Sequence, residues 1–339
     1  MQVAEDTPLW TTDEPVALVV EDHSPRRTLG WRLGASTLDV AAELTGTSPR
    51  GESPVLCPGG HVLLIDRIEA RATREGGCVR DDPGLARVDL RTGKTSWLAF
   101  AGLPHSPGFA HFGGSPDGTS VSLAYPWERT PGDWSTMPPT IGTFTLGLYV
   151  ARFDGTAPVE LAVLEDFSTG GSNADDVSTQ WSPDGTRIAF SIAWQDLEAP
   201  WHSQRATVIY DAVTGAEIHR VPGSLCGSAS WSPDGTLLLL DHATDDTWIH
   251  DLTSDTCRPV TTLAPAGGRD MRPVRPLGLA DADHLVTARW RGERMTIALT
   301  NLTDGSSAEI LSWSYLEARY PTIAAMPHGT WAAATAGAS

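Results

Sequence analysis

The sequence predicts an all-β protein, a β-propeller built from four-stranded blades. The hexamer WSPDGT occurs at residues 181–186 and again at 231–236, and a close copy, GSPDGT, occurs at 114–119. Glycine and proline are also frequent, with 33 Gly and 25 Pro in 339 residues. This density of turn-forming residues favours many short strands over long helices.

Each hexamer has the chemistry of a tight turn that precedes a strand. Pro183 fixes φ at the second turn position, Asp184 can accept hydrogen bonds from nearby backbone N–H groups, and Gly185 supplies a positive φ. The apolar runs RIAF and LLLL follow the two WSPDGT copies, so a strand begins there. Trp181 and Trp231 are predicted to end the preceding strands with a large buried side chain. A strand, a turn and a second strand make a hairpin.

Looser copies raise the number of such hairpins to seven, with the additional ones at residues 9–20, 56–65, 279–288 and 325–334. A second type of turn, made of Asp, Asn, Thr or Gly, recurs at 88–94, 152–157, 210–217, 250–256 and 300–306, with a weaker copy at 33–39. Two consecutive hairpins make a four-stranded unit. The period, about 48 residues, lies in the range of propeller blades.

We therefore expect residues 1–339 to form a single β-propeller domain. Its approximate units are 1–50, 51–104, 105–168, 169–223, 224–268, 269–316 and 317–339. Seven blades are favoured, with a thin last blade that has room for two strands, and a six-bladed ring with one terminal hairpin misread is the alternative. Because an end blade has fewer neighbours, residues 320–339 are expected to exchange amide hydrogens fastest.

The WSPDGT strand followed by a Y-D-x-x-T-G turn resembles the PD40 (WD40-like) repeats of TolB-type β-propellers. The resemblance covers most of the chain at the level of the fold and implies that the Pro-Asp-Gly turn has a structural role. Similar repeats occur in the propeller domains of prolyl oligopeptidase-like peptidases and in oligogalacturonate lyases. The nucleophile elbow G-x-S-x-G of such a peptidase is absent from the sequence, so peptidase chemistry is not expected.

Function is expected in the loops between the second and third strands of each blade, because both turn types described above share the opposite face of the ring. The distance from the first turn glycine to the second is 30 residues between Gly185 and Gly215 and 37 between Gly118 and Gly155, against 20 from Gly235 to Asp255. Units three and four therefore carry insertions, at 125–143 and 193–205, in adjacent blades.

The two insertions concentrate aromatic side chains, which favour interfaces and ligand platforms when they lie in exposed loops. The candidate binding residues are Tyr125, Trp127, Trp134, Trp194, Trp201 and His202. The favoured hypothesis is a non-catalytic binding or scaffold module that docks a protein or peptide on this face. Alternatively, the tryptophans pin the long loops onto the ring, or they form a platform for a carbohydrate or another small molecule.

Ten histidines are present, and His105, His111, His202 and His242 are predicted to lie towards the long loops. Some PD40 lyases hold a divalent metal with several histidines in the central funnel, so the resemblance implies an alternative function: a lyase or hydrolase acting on a polar substrate. No H-x-H or H-x-x-x-H pair occurs, and we predict neither a metal site nor a cofactor. Catalytic residues are not predicted.

Charge and cysteine content limit the classes of partner. The formal net charge of −18 and the pI of about 4.8 argue against nucleic acid, whose binding depends on basic side chains. No apolar run reaches the roughly 18 residues of a membrane span, and the N-terminus lacks the features of an export signal. A cytoplasmic location is expected, or an extracytoplasmic one if a signal or anchor has been removed. The four cysteines fit no zinc pattern and are predicted to be mostly buried, reduced thiols.

Overall fold

A computed structural model describes most of the chain between residues 16 and 323. The described segments are 16–23, 26–32, 39–43, 55–67, 70–72, 78–80, 84–99, 111–130, 143–167, 177–195, 203–242, 247–263, 274–314 and 319–323. They contain twenty-six β-strands and one short 3-10 helix, Thr261–Leu263. The all-β class predicted from the sequence is confirmed.

The first three sheets each contain four antiparallel strands. Sheet 1 joins the last strand of the chain to the first three, in the order β26 (Arg319–Ile323), β1 (Val16–His23), β2 (Arg26–Arg32) and β3 (Asp39–Glu43). Sheet 2 consists of β4 (Val55–Leu56), β5 (Val62–Arg67), β8 (Gly84–Asp89) and β9 (Thr95–Ala99). Between β5 and β8 lies a two-stranded ribbon of β6 (Ala70–Ala72) and β7 (Cys78–Arg80). Sheet 3 consists of β10 (His111–Gly114), β11 (Ser120–Thr130), β12 (Thr143–Arg152) and β13 (Val159–Phe167).

The remaining three sheets repeat the same meander. Sheet 4 consists of β14 (Val177–Trp181), β15 (Arg187–Gln195), β16 (Ser203–Asp211) and β17 (Glu217–Pro222). Sheet 5 consists of β18 (Ser224–Trp231), β19 (Leu237–His242), β20 (Thr247–Asp251) and β21 (Thr256–Pro259). Sheet 6 consists of β22 (Arg275–Leu279), β23 (His284–Arg291), β24 (Arg294–Asn301) and β25 (Ser307–Ser314).

The first strands of the six sheets form a closed ring. In chain order, β4, β10, β14, β18, β22 and β26 each contact the next one, and β26 contacts β4. Apolar side chains fill the space between neighbouring sheets: between sheets 3 and 4, for example, Ala124 and Leu148 share one buried cluster with Phe190 and Val208. Four-stranded sheets arranged radially in this way define a β-propeller.

The prediction of seven blades is wrong for the part of the chain that the structure describes, which forms six four-stranded sheets. Strand β26 does not begin a thin seventh blade. It pairs with β1 instead, with Leu18 opposite Ile323 and Val19 opposite Thr322, and so completes the first sheet. Closure by both ends of the chain gives the first sheet its fourth, innermost strand, so β1 has a hydrogen-bonding partner on both sides. The alternative of a six-bladed ring with one terminal hairpin misread agrees with this count.

The Pro-Asp-Gly turns have nearly the same geometry in sheets 3, 4 and 5. In the second WSPDGT copy, the Ser232 hydroxyl donates to Asp234 at 2.6 Å, the backbone N–H of Thr236 donates to the same carboxylate at 3.0 Å, and Gly235 has φ = 70°. The backbone N–H of Leu237 then donates to the Ser232 hydroxyl at 2.8 Å. The predicted structural role of the hexamer is therefore confirmed, because each polar side chain satisfies backbone groups within the turn.

The second type of turn lies beside the first in each of sheets 2 to 6. The backbone N–H of the residue after the third strand donates to a carbonyl of the first turn, as from Leu252 to Thr236 at 3.0 Å and from Ala212 to Thr186 at 2.9 Å. Both turn types thus share one face of the ring, as the meander predicts. We call this surface the turn face.

Two of the four cysteines lie among side chains that the structure describes, and both are free thiols. Cys57 is fully buried, and burial raises the pKa of its thiol to about 12. Cys257 is exposed, so the expectation of buried thiols is wrong at this position. The side chains of Cys78 and Cys226 lie outside the described part of the structure.

Candidate functional site

The hairpin of β11 and β12 extends well past the inner strand of sheet 3. The last pair between β10 and β11 is His111 with Ala124, whereas β11 continues to pair with β12 as far as Thr130 with Thr143. This extension points away from the turn face, because β11 and β12 are joined at the end of the sheet opposite to its two tight turns. It carries Tyr125, paired with Gly147, and Trp127, paired with Thr145.

Sheet 4 has a similar but shorter extension. The last pair between β14 and β15 is Val177 with Ile192, and β15 then continues against β16 as far as Gln195 with Ser203. Trp194 lies in this extension and pairs with Gln204. The two extended hairpins belong to neighbouring blades, since the strands at their bases pack together in the buried cluster shared by sheets 3 and 4.

Sheet 2 adds a third element to the same side of the ring. The ribbon of β6 and β7 lies in the connection between β5 and β8, which leaves the sheet at the end opposite to its turns. Insertions were predicted in units three and four alone, so this one was not predicted. We call the combined surface the long-hairpin edge, formed by residues 70–72, 78–80, 125–130, 143–147, 193–195 and 203–205.

Three of the six predicted binding residues lie on the long-hairpin edge by their backbone positions: Tyr125, Trp127 and Trp194. The other three, Trp134, Trp201 and His202, lie outside the described residues, in the connections that these hairpins carry. Of the four histidines predicted to lie towards the long loops, two lie among the described residues. His111 begins β10 beside the base of the long hairpin, His242 ends β19 opposite Ser224, and His105 lies outside the described residues.

A second site lies on the turn face, between sheets 4 and 5. His219 of β17, His250 of β20 and Asp255 of the following turn bring one nitrogen or oxygen atom each to a common point. The two Nε2 atoms are 3.0 Å apart, and Asp255 Oδ1 lies 3.2 Å from His219 Nε2 and 3.5 Å from His250 Nε2. We call this group the His–Asp cluster.

The surroundings of His250 orient its ring. Its Nδ1 atom lies 2.8 Å from the Cys257 sulfur, on the opposite side of the ring from the cluster. Burial, followed by the neighbouring His219, lowers the pKa of His250, although Asp255 and Asp251 oppose this effect. Although Cys257 is an exposed residue, partial desolvation of its thiol raises the pKa of this group, and the Asp255 carboxylate adds to this effect. Both shifts favour the neutral forms of the two groups.

Asp255 occupies a position that glycine holds in similar turns of other sheets. The turns that begin at Asp89, Asp211 and Asn301 place glycine four residues later, at Gly93, Gly215 and Gly305, with φ between 68° and 72°. The turn that begins at Asp251 has Asp255 there, with φ = 53°, and among the described residues it is the one non-glycine residue with a positive φ. The members of this site lie in two different blades, so the order of residues along the chain does not predict it, although aspartate at a glycine position is visible in the sequence.

Among the described residues, the structure contains no helix long and apolar enough to cross a membrane. No protein-family model matches the sequence, and neither does any curated protein. The fold is nevertheless found among solved structures. TolB from Acinetobacter baumannii superposes with a TM-score of 0.52 at 17% sequence identity, over 91% of this chain and 66% of the TolB chain.

An acylaminoacyl peptidase from Pyrococcus horikoshii is a more distant match, with a TM-score of 0.43 at 11% identity over 77% of this chain and 39% of the peptidase. An acylaminoacyl peptidase in complex with Z-Gly-Gly-Phe-chloromethyl ketone gives the same values. The chain thus spans slightly less than two thirds of TolB and a smaller part of the peptidases. The likeness to TolB confirms a β-propeller of the TolB type, and at this identity it defines the fold alone.

Proposed function

We propose that this chain, acting as a single propeller domain, is a non-catalytic binding module that docks a protein or peptide on the long-hairpin edge. The observation that carries the proposal is the position of the extended hairpins of sheets 3 and 4, which are neighbours and leave the ring on the same side. A contiguous surface of this kind suits a partner larger than a single small molecule.

The chemistry of the edge supports the same function. The two extended hairpins and their connections contain Tyr125, Trp127, Trp134, Trp194 and Trp201. Tryptophan and tyrosine bury a large area at a low cost in side-chain entropy, and a few such residues supply most of the binding energy at a typical interface. The turn face is less suited to this role, because its loops are short and its side chains are engaged in satisfying the backbone of their own turns.

The alternative of an enzyme acting at the central funnel receives less support. Among the described residues, the one group of three potential metal ligands, the His–Asp cluster, involves β17 and β20 at the turn face. That position is away from the long-hairpin edge and from the inner strands that line the funnel. Binding of a carbohydrate or another small molecule stays a prediction. The expected cytoplasmic location, with its extracytoplasmic alternative, also stays a prediction.

Affinity capture from a lysate of the source organism tests the proposed function. The bait proteins are the wild type, the double variant Trp127→Ala/Trp201→Ala, and the control Val213→Ala/Ile218→Ala. The control removes two exposed apolar side chains, 87% and 51% accessible, from the turn and outer strand of sheet 4. We expect a protein that the wild type and the control recover and the tryptophan variant does not. Equal recovery by all three baits would contradict the proposal.

A further inference from the structure

We propose that His219, His250 and Asp255 bind a divalent transition metal ion of the zinc type at the boundary between sheets 4 and 5. Two imidazole nitrogens and one carboxylate oxygen are a common ligand set for such an ion, and a fourth position is then left for water. This inference is independent of the function proposed for the long-hairpin edge, because the two sites lie on different faces of the ring.

The distances within the cluster fit one ion. A tetrahedral zinc ion with ligand bonds of 2.0–2.1 Å places any two ligand atoms about 3.3 Å apart. The three separations in the cluster are 3.0, 3.2 and 3.5 Å. An ion can therefore contact all three atoms after small adjustments of the side chains.

The arrangement of the two rings leaves a lone pair inside the cluster. Two Nε2 atoms that are 3.0 Å apart cannot both carry a proton that points at the other. The Nδ1–H of His250 can donate to the Cys257 sulfur, which leaves His250 Nε2 unprotonated and directed at His219 and Asp255. A partner on the far ring nitrogen of a metal-binding histidine is a common feature of metal sites, because it fixes the tautomer and the orientation of the ring.

The backbone at Asp255 provides an independent argument. A positive φ disfavours most residues relative to glycine, although aspartate tolerates it better than bulkier residues do. The corresponding turns of sheets 2, 4 and 6 have glycine at this position. A residue that departs from such a repeat at a cost in backbone energy indicates a role for its side chain, and here the Asp255 carboxylate lies against two imidazoles.

The neighbouring boundary between sheets 3 and 4 offers a comparison, because it contains the corresponding turn without the His–Asp cluster. There, a Cβ atom added to Gly215 would lie 3.2 Å from the Leu161 side chain of the preceding sheet. Leu161 packs on the buried cluster that includes Tyr210, the residue before the turn. At this boundary a leucine of the preceding sheet lies against the turn glycine, whereas the next boundary brings His219 against Asp255.

The His–Asp cluster is reachable from solvent, since 72% of the Asp255 side chain is accessible while 4% of the His250 side chain is. A bound ion would therefore exchange with the solution and, at the same time, join an outer strand of sheet 4 to sheet 5. Its expected effect is to hold two neighbouring blades together, because the ion binds the folded arrangement and not the unfolded chain.

Zinc titration of the full chain, after treatment with a chelator and removal of the chelator, tests this proposal. Isothermal calorimetry and metal analysis after dialysis are expected to give one Zn²⁺ per chain, and Zn²⁺ is expected to raise the thermal midpoint of the wild type. Asp255→Gly restores the residue that the other turns contain, so this variant should fold. It is expected to bind Zn²⁺ at least about tenfold more weakly and to lose most of the zinc-dependent thermal shift.

Two further variants complete the experiment. His219→Ala is expected to weaken zinc binding as Asp255→Gly does. His284→Ala is the matched control: it removes a histidine that also contacts an aspartate, Asp281 at 2.9 Å, outside the cluster, and zinc binding should be retained. Absence of stoichiometric zinc binding in the wild type would overturn the proposal. Zinc binding that Asp255→Gly and His219→Ala leave unchanged would overturn it equally.

Discussion

The indole N–H of Trp181 donates a hydrogen bond to the backbone carbonyl of Gly113 across the boundary between sheets 4 and 3, at 3.0 Å. Trp231 makes the corresponding bond to the carbonyl of Gln180, at 3.3 Å. In each case the first residue of WSPDGT reaches the inner strand of the preceding sheet. The hexamer therefore has two structural roles. Its tryptophan bonds to the preceding blade, and its Pro-Asp-Gly turn reverses the direction of the chain.

Replacement of Trp181 by phenylalanine tests the contribution of this bond. Phe keeps most of the buried apolar area but removes one donor to the Gly113 carbonyl, which still accepts from the Ser122 hydroxyl at 3.1 Å. The expected cost is that of one hydrogen bond, about 0.5–1.5 kcal/mol. We expect the free energy of unfolding in urea to fall by that amount, and by about 3–5 kcal/mol for Trp181→Ala, which also leaves a cavity. A stability of Trp181→Phe equal to that of the wild type would show that the hydrogen bond contributes little. Val213→Ala, at an exposed position, should leave stability nearly unchanged.

Two glycines with positive φ, Gly118 and Gly59, allow a test of how tightly the turns pack against the neighbouring blade. A Cβ atom at Gly118 would lie 2.6 Å from Val62 of the preceding sheet, whereas a Cβ atom at Gly59 would meet nothing within 4 Å. Gly59→Ala should therefore cost the backbone strain alone, about 1–2 kcal/mol. Gly118→Ala should cost about 1–3 kcal/mol more through overpacking.

The free energy of urea unfolding measures both glycine variants. Val62 is buried in the core, so Val62→Ala is itself destabilising, but the double variant Val62→Ala/Gly118→Ala should lose less than the sum of the two single losses. Similar losses at the two glycines, with additive losses in the double variant, would show that the contact between the blades does not limit the size of the residue at this turn.

The pKa values of the aspartates in the Pro-Asp-Gly turns are lowered, so we predict that the protein loses stability in acid. Partial burial alone would raise the pKa of Asp184, but hydrogen bonds from Ser182 and Thr186 and the Arg187 charge outweigh it and hold this pKa below its ordinary value. A carboxylate with a lowered pKa in the folded state stabilises the protein above its unfolded pKa, about 3.9, and this contribution disappears as the pH falls through the folded pKa.

Asp184→Asn keeps the acceptor oxygen of the turn and removes its charge. The variant should be less stable than the wild type at pH 7, and the difference should shrink steadily below about pH 4. Unfolding free energies at a series of pH values measure this. Asp234→Asn should behave in the same way, because Asp234 has equivalent bonds from Ser232 and Thr236 and a lowered pKa. A difference that stays constant with pH would contradict the explanation.

Closure of the ring through β26 and β1 predicts that the two chain ends stabilise each other. Removal of residues 319–339 should leave β1 without its inner partner, so the amides of Val16–His23 should exchange faster with solvent. The thermal midpoint should fall in parallel, because the sheet that closes the ring is then incomplete. Unchanged exchange in β1 would show that the pairing with β26 contributes little to closure.

Structure that depends on residues close together in the chain could be predicted from the sequence. The turn at Ser182 to Arg187 is determined by side chains that bond within six positions, so the hexamer sufficed to predict it. The pairing of Leu18 with Ile323 joins strands some 300 residues apart, and no local pattern marks it. This is why the number of blades was overestimated by one.

The contrast between local patterns and contacts of residues far apart in the chain also applies to the two candidate sites. The aromatic insertions of sheets 3 and 4 were found from the spacing of turn glycines, because an insertion lengthens that spacing wherever it lies. The ribbon of β6 and β7 lengthens the spacing in sheet 2 as well, but the weaker repeat there hid it. The His–Asp cluster required the contact between β17 and the turn at Asp255, which the order of residues along the chain does not reveal.

The most direct test of the central claim, that the long-hairpin edge is the binding surface, is hydrogen–deuterium exchange of the chain with and without the protein recovered by affinity capture. The proposed function predicts slower exchange in residues 125–147 and 193–205 when the partner is bound, with little change at the turns 211–217 and 251–256. Protection confined to the turn face, with unchanged exchange along the two long hairpins, would contradict it.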